Sequence, residues 1–126
     1  MVGFHTNIEE ATLANNNFRK VLYTGEHAQL VVMSLLPSEK IDMEVHPDND
    51  QFFRFESGEG KAELNGEMTH FKAEDVLIVP AGTFHEITNT SDTKPLKLYT
   101  LYSPSHHPAG TIHATKAEAE EVEAKE

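Results

Sequence analysis

The sequence predicts an all-β domain, an antiparallel sandwich or barrel, and three observations carry that reading. Short runs of strand length recur between residues 28 and 102; Gly, Pro and Asn-Gly turn signals separate them; almost no helical periodicity interrupts the middle of the chain. The alternation of strands with long amphipathic helices that a dinucleotide-binding fold needs is absent. With 126 residues, 38% of them hydrophobic, the chain is long enough for one core, so 1–126 is read as a single domain.

Near the start, Asn7 to Leu13 offers a cap, early acidic residues and apolar spacing, which predicts a short helix. Ala28 to Leu36 is β-branched, continuously apolar and stopped by Pro37, as in a strand buried on both faces. Ile41 to His46 alternates, with Ile41, Met43 and Val45 on one face and Asp42, Glu44 and His46 on the other. The aromatic run Gln51 to Glu56 is the next strand, closed by the turn signal Ser57-Gly58-Glu59-Gly60. Lys61 to Leu64, Asn65-Gly66 and Glu67 to Phe71 form a hairpin, because Asn-Gly readily takes the positive φ angles of a tight turn.

Val76 to Val79 is a short buried strand before Pro80, Phe84 to Asn89 alternates weakly, and Leu96 to Tyr102 alternates well, giving seven or eight strands. Residues 103–126 are a loop followed by a helix that begins at the capping-box spacing Thr115-Lys116-Ala117-Glu118. The terminal Glu run is read as the solvated face of that helix.

Ten Lys and Arg against 21 Asp and Glu leave a net charge of −11, a field that repels phosphate backbones and anionic headgroups, so neither nucleic acid nor membrane is expected as a partner. Cysteine is absent, which removes disulfides, thiolate nucleophiles and thiolate metal sites. Any metal must sit on imidazole and oxygen. The first ten residues lack a basic region followed by an apolar run, and no stretch approaches about 18 apolar residues, so a cytoplasmic protein is expected.

Two segments have the residue types of a metal site. Glu44 and His46, two apart on an alternating strand, project from one face, and Gln51 opens the following strand. His85 comes just after the rigid turn Pro80-Ala81-Gly82. Carboxylate, imidazole and amide oxygen converge on one divalent ion if both strands line one interior. Phe53 and Phe55 share the Gln51 face and are candidates to wall a pocket, against the commoner reading of core packing; Arg54 points the other way. His106, His107 and His113 crowd the loop after the last strong strand, where they could form a lid or a proton donor. Tyr99 and Tyr102 lie on opposite faces of their strand, so at most one is interior. Tyr99, Tyr102 and His107 are the catalytic candidates.

From Ser38 there are five residues, then Glu44-x-His46, four residues, Gln51, six residues and Gly58; from Glu74 there are five residues, then Pro80-x-Gly82, two residues, His85, three residues and Asn89. This spacing resembles the two motifs of the cupin superfamily, in which each motif opens on Gly and the ligand order is His-x-His, Glu and His. Here Glu44 stands at the first His position, His46 at the second, Gln51 at the Glu position and His85 at the last His, while Ser38 and Glu74 stand at the opening glycines. The motifs lie within 38–89, and the loop and tail resemble those of small bacterial cupins described as mannose-6-phosphate isomerase-like.

The resemblance implies a jelly-roll (double-stranded β-helix) barrel with a divalent metal inside. Gln51 is then a weaker, neutral carbonyl ligand, a ligand through water, or a group that orients substrate. Zinc or manganese is favoured, with nickel, iron and cobalt also compatible with the donor set. The expected function is a metal-dependent enzyme of isomerase, epimerase or lyase type acting on a small polar carbohydrate or keto-acid-like molecule. The alternatives are a metal- or ligand-binding module without turnover and, less favoured, an Fe(II) oxygenase. The apolar run at 30–36, with the resemblance, suggests a homodimer.

Overall fold

The computed structural model describes residues 1–124; Lys125 and Glu126, the end of the terminal acidic run, lie outside the described residues. Helix α1 (Ile8–Ala14) starts where the sequence places it, with the Asn7 side chain accepting from the Glu10 amide at 2.9 Å. The strands are β1 (Arg19–Thr24), β2 (Gln29–Leu35), β3 (Lys40–Glu44), β4 (Asp50–Ser57), β5 (Glu59–Leu64), β6 (Glu67–Lys72), β7 (Val76–Val79), β8 (His85–Asn89), β9 (Leu96–Ser103) and β10 (Ile112–His113), and helix α2 (Lys116–Ala124) closes the described chain. The Thr115 hydroxyl accepts from the Glu118 amide at 3.1 Å, while the Glu118 carboxylate reaches the Ala114 amide, one residue before the position a capping box would use.

Two antiparallel sheets result, one in the order β10-β1-β2-β9-β4-β7 and one in the order β3-β8-β5-β6. They face each other across a core that includes Val31, Met33 and Leu35 from β2, Phe53 and Phe55 from β4, Ile87 from β8 and Leu96 and Leu98 from β9. Each such side chain, fully buried, contributes roughly 1.5–3 kcal/mol of transfer free energy. Phe55 and Phe71 stack with centroids 3.6 Å apart, tying β4 to β6 across the two sheets. The hairpin turn takes the form expected of Asn-Gly, with φ of 47° at Asn65 and 87° at Gly66.

The expected all-β barrel is corrected. The fold is a mixed one, two sheets with two helices, and the sheets are not closed into a barrel: one ends at β10 and β7, the other at β3 and β6, with no ladder between them among the described residues. Alternating burial along a strand reports which face is covered, and it is the same for stacked sheets as for a closed cylinder.

Strands β1 and β10 were not expected. In β1 the inward positions are Arg19 and Val21, and the adjacent charges Arg19-Lys20 mask the alternation; β10 has only two residues, too few to leave a period. In the apolar run at 30–36, Leu36 is exposed and the other side chains are buried or half-buried. Val31, Met33 and Leu35 enter the core, and Val32, on the other face, is buried beside Ala11 and Ala14 of α1.

Candidate metal centre

Glu44 and His85 are cross-strand partners at the end of the β3–β8 ladder, and a bulge brings them together. Ile41 pairs with Ile87 and Glu44 with His85, so three steps along β3 match two along β8. The extra residue breaks the strict alternation expected for 41–46 and turns both Ile41 and Glu44 toward the interior, leaving Met43 exposed. His46 lies just beyond β3, its carbonyl held by the Gly82 amide at 3.0 Å, which joins the loop after β3 to the turn before β8.

The Glu44 Oε1 atom is 3.1 Å from His46 Nε2 and 3.5 Å from His85 Nε2, and one donor atom from each of the three residues falls within 4.8 Å of the others. His85 is 1% exposed, and its Nδ1–H donates to the Thr83 carbonyl at 2.9 Å. That bond fixes the tautomer. In neutral His85 the lone pair therefore sits on Nε2, which is buried without a hydrogen-bond partner and faces a carboxylate. Two lone-pair groups at that distance repel unless a proton or a cation lies between them.

Protonation without metal follows the same logic. Burial pushes the Glu44 carboxyl up, but the His46 hydrogen bond and the close approach and charges of His46 and His85 outweigh it and hold Glu44 well below the usual carboxylate range. Burial pushes His85 down, but the facing Glu44 carboxylate and the bond to the Thr83 carbonyl outweigh it and raise His85 above its ordinary value.

Gln51 lies on β4, in the other sheet. It is 2% exposed, its amide donates to Thr100 Oγ1 at 3.0 Å, and its Oε1 is buried without a partner. Orphaned acceptors at both Gln51 Oε1 and His85 Nε2, added to a Glu and two His within reach of one point, fit a divalent cation.

Phe53 and Phe55 are fully buried and stacked 6.2 Å apart; Phe53 presents its edge to His85 at 6.4 Å. The cavities that open beside Glu44 are lined by other residues. Arg54 faces away and pairs with Glu56 at 3.0 Å.

Of the tyrosines, Tyr102 is interior, edge-on to His46 at 5.7 Å and with its hydroxyl 3.3 Å from His107 Nε2, whereas Tyr99 packs near Phe52 on the outer face. Burial drives the Tyr102 phenol far up, so it keeps its proton. His107 is pushed down to about 3 by burial and then by the charges of Arg19 and His106, so it is neutral in any physiological buffer.

The loop after β9 is fastened over the site. The buried Gln29 side-chain Oε1 accepts from the His106 and His107 amides at 3.1 and 2.9 Å, and its Nε2 donates to the His107 carbonyl at 2.7 Å. His106 is thereby placed with its ring 4.2 Å from that of His46. A cavity of about 190 Å³ lies there, lined by residues that include Glu44, His106, His107, His113 and Glu123. Neither Gln29 nor Arg19 was picked out from the sequence. The available signal was a polar side chain at an inward position of an otherwise apolar strand face, and for Arg19 it required recognising β1.

The Cupin domain family model matches residues 31–102. The chain is 45% identical over 122 residues to the uncharacterized protein YrkC of Bacillus subtilis (strain 168), covering 92% of this chain and 65% of that protein, so it spans just under two thirds of that relative's length. It is 46% identical over 116 residues to the uncharacterized protein L612 of Acanthamoeba polyphaga mimivirus, covering 90% of this chain and 72% of that one. The crystal structure of BH2720 from Bacillus halodurans superposes with a TM-score of 0.91 at 40% identity, covering 94% of this chain and 93% of that one.

Proposed function

The chain belongs to the cupin domain family, and from that premise we propose that it is a metal-dependent enzyme of isomerase, epimerase or lyase type acting on a small polar carbohydrate or keto-acid-like molecule. The observation that carries this is the buried, unpartnered Nε2 of His85 facing the Glu44 carboxylate. Glu44, His46 and His85 are the proposed ligands, with Gln51 supplying a neutral oxygen from the facing sheet. A divalent ion held there, zinc or manganese by preference, would supply Lewis-acid polarisation of a carbonyl or hydroxyl of the bound molecule.

The chain's own groups supply the rest. His106, at the wall of the cavity, is pushed below its ordinary value first by burial, so its neutral imidazole can take a proton from a bound substrate. Tyr102 and His107 are poorly suited to that step, one holding its proton too tightly and the other accepting one too weakly. They and Gln29 position the loop. The test is hydrogen exchange at carbon in D2O, followed by NMR with a panel of small sugars and 2-oxo acids. Metal-loaded wild type is expected to exchange protons α to the carbonyl, and His106→Gln to lose that exchange while keeping its metal.

A second reading, a binder without turnover, is favoured by the absence, among the described residues, of a second well-tuned acid or base beside His106; exchange with none of the panel, by a protein that holds metal and binds ligand, would support it. Oxygen uptake by iron-loaded protein would instead favour an oxygenase.

A further inference from the structure

Arg19 is a buried cation that the metal site does not use. Its side chain is 5% exposed, and its Nε is buried without a partner. One terminal nitrogen, Nη1, carries both of its hydrogen bonds, to Glu123 Oε1 at 2.9 Å and to His113 Nδ1 at 3.3 Å. Burying a guanidinium is costly, and a fork of donors only partly used is a poor return in stability. Its counter-ion is also loosely held: Glu123 is 49% exposed and lies near the end of α2, a helix whose one buried residue is Ala119.

The surroundings point to a ligand. Arg19, Glu44 and Glu123 together line a cavity of about 260 Å³. Glu44 and Glu123 also line the 190 Å³ cavity that His106 and His113 border, so the counter-ion of Arg19 and a proposed metal ligand border both spaces. We infer that Arg19 is the recognition residue for the carboxylate of a small organic acid, and that the Glu123 carboxylate is the internal group which occupies its place until that ligand arrives.

A planar guanidinium fork matches a carboxylate, the group it already binds. A phosphate dianion would bring two charges among Asp42, Glu44, Glu120 and Glu123, with Lys116 the one other cation along that cavity. The inference deepens the keto-acid side of the proposed function and rests on it for the second contact, in which an oxygen at the other end of the acid reaches the metal.

The test is calorimetric titration of pyruvate, a singly charged 2-oxo acid, into zinc-loaded and metal-free protein, for wild type, Glu123→Gln and Arg19→Lys, with inorganic phosphate as the competing probe and metal content measured on each. Removing the internal carboxylate should tighten pyruvate at least threefold, and replacing the fork with a point charge should weaken it at least fivefold, in both metal states. Pyruvate binding that neither variant changes, or phosphate binding as tight as pyruvate, overturns the inference. If Arg19→Lys fails to fold, Glu123→Gln, on a half-exposed helix position, decides alone. Failure of the metal reading shows separately, as wild type that holds no zinc.

Discussion

His85 directs a buried, unpartnered Nε2 at the Glu44 carboxylate 3.5 Å away while its Nδ1 is committed to the Thr83 carbonyl. The space between the two side chains thus suits a positive charge and little else. Without metal that charge is a proton, and a divalent ion must displace it. Loading at pH 6 to 7 should therefore release protons, seen as calorimetric heats that scale with buffer ionisation enthalpy; heats independent of the buffer would contradict this.

The same pair sets a pH window for the metal-free fold. His85, raised above 6.5, contributes stability that is full below that value and is lost as pH climbs through its elevated folded pKa. Glu44, depressed from 4.5, contributes stability present above that value and lost as pH falls through its depressed one. Metal-free protein should have its highest melting temperature between about pH 4.5 and 6.5, and metal should move the optimum upward. A melting temperature of the metal-free form that rises steadily from pH 5 to 8 would contradict the account.

Gln51→Glu places a carboxylate where Gln51 Oε1 is buried without a partner. In the metal-free protein the unpaired charge should cost about 3 kcal/mol, read from denaturant midpoints. With metal bound the deficit should close, and metal affinity should rise about tenfold, or 1.4 kcal/mol. Equal or weaker metal binding would remove Gln51 from the site.

Ser38 and Glu74 stand where the family motifs open on glycine, and both adopt the left-handed backbone, with φ of 64° and 79°. Each side chain is exposed, so little packing offsets the strain. Glu74→Gly and Ser38→Gly should each stabilise the fold by about 0.5–1 kcal/mol, the relief of strain exceeding the added unfolded-state entropy. A fall in the melting temperature of both variants would show that the strain is compensated.

Asn89, also within the second motif, is a structural hub. Its amide donates to the carbonyls of Leu35, Leu36 and Lys94, and its Oδ1 accepts from the Ser91 amide. Asn89→Ala leaves those groups unpaired in a site that is 1% exposed and should cost about 2–3 kcal/mol. Metal content should not change.

Much of this was legible in the sequence because it depends on short-range order. The hairpin at Asn65-Gly66, the cap at Asn7 and the burial of Phe53 and Phe55 follow from turn chemistry and a period of two. Glu44, His46 and His85 could be grouped because motif spacing fixes which strands meet. What escaped depends on long-range pairing: whether the sheet edges close, the bulge that turns Ile41 and Glu44 to the same side, and the meeting of Arg19 with Glu123 across 104 residues of chain. Closure and register are properties of strand pairs, and no single strand's pattern encodes them.

The central claim is that Glu44, His46 and His85 hold a divalent metal, and elemental analysis by mass spectrometry on tag-free wild type and His85→Ala tests it most directly. The account predicts about one metal ion per chain in wild type and less than about a tenth of that in the variant, with the far-ultraviolet circular dichroism unchanged. Wild type that stays metal-free after reconstitution with several divalent ions, or His85→Ala that keeps its full complement, would contradict it.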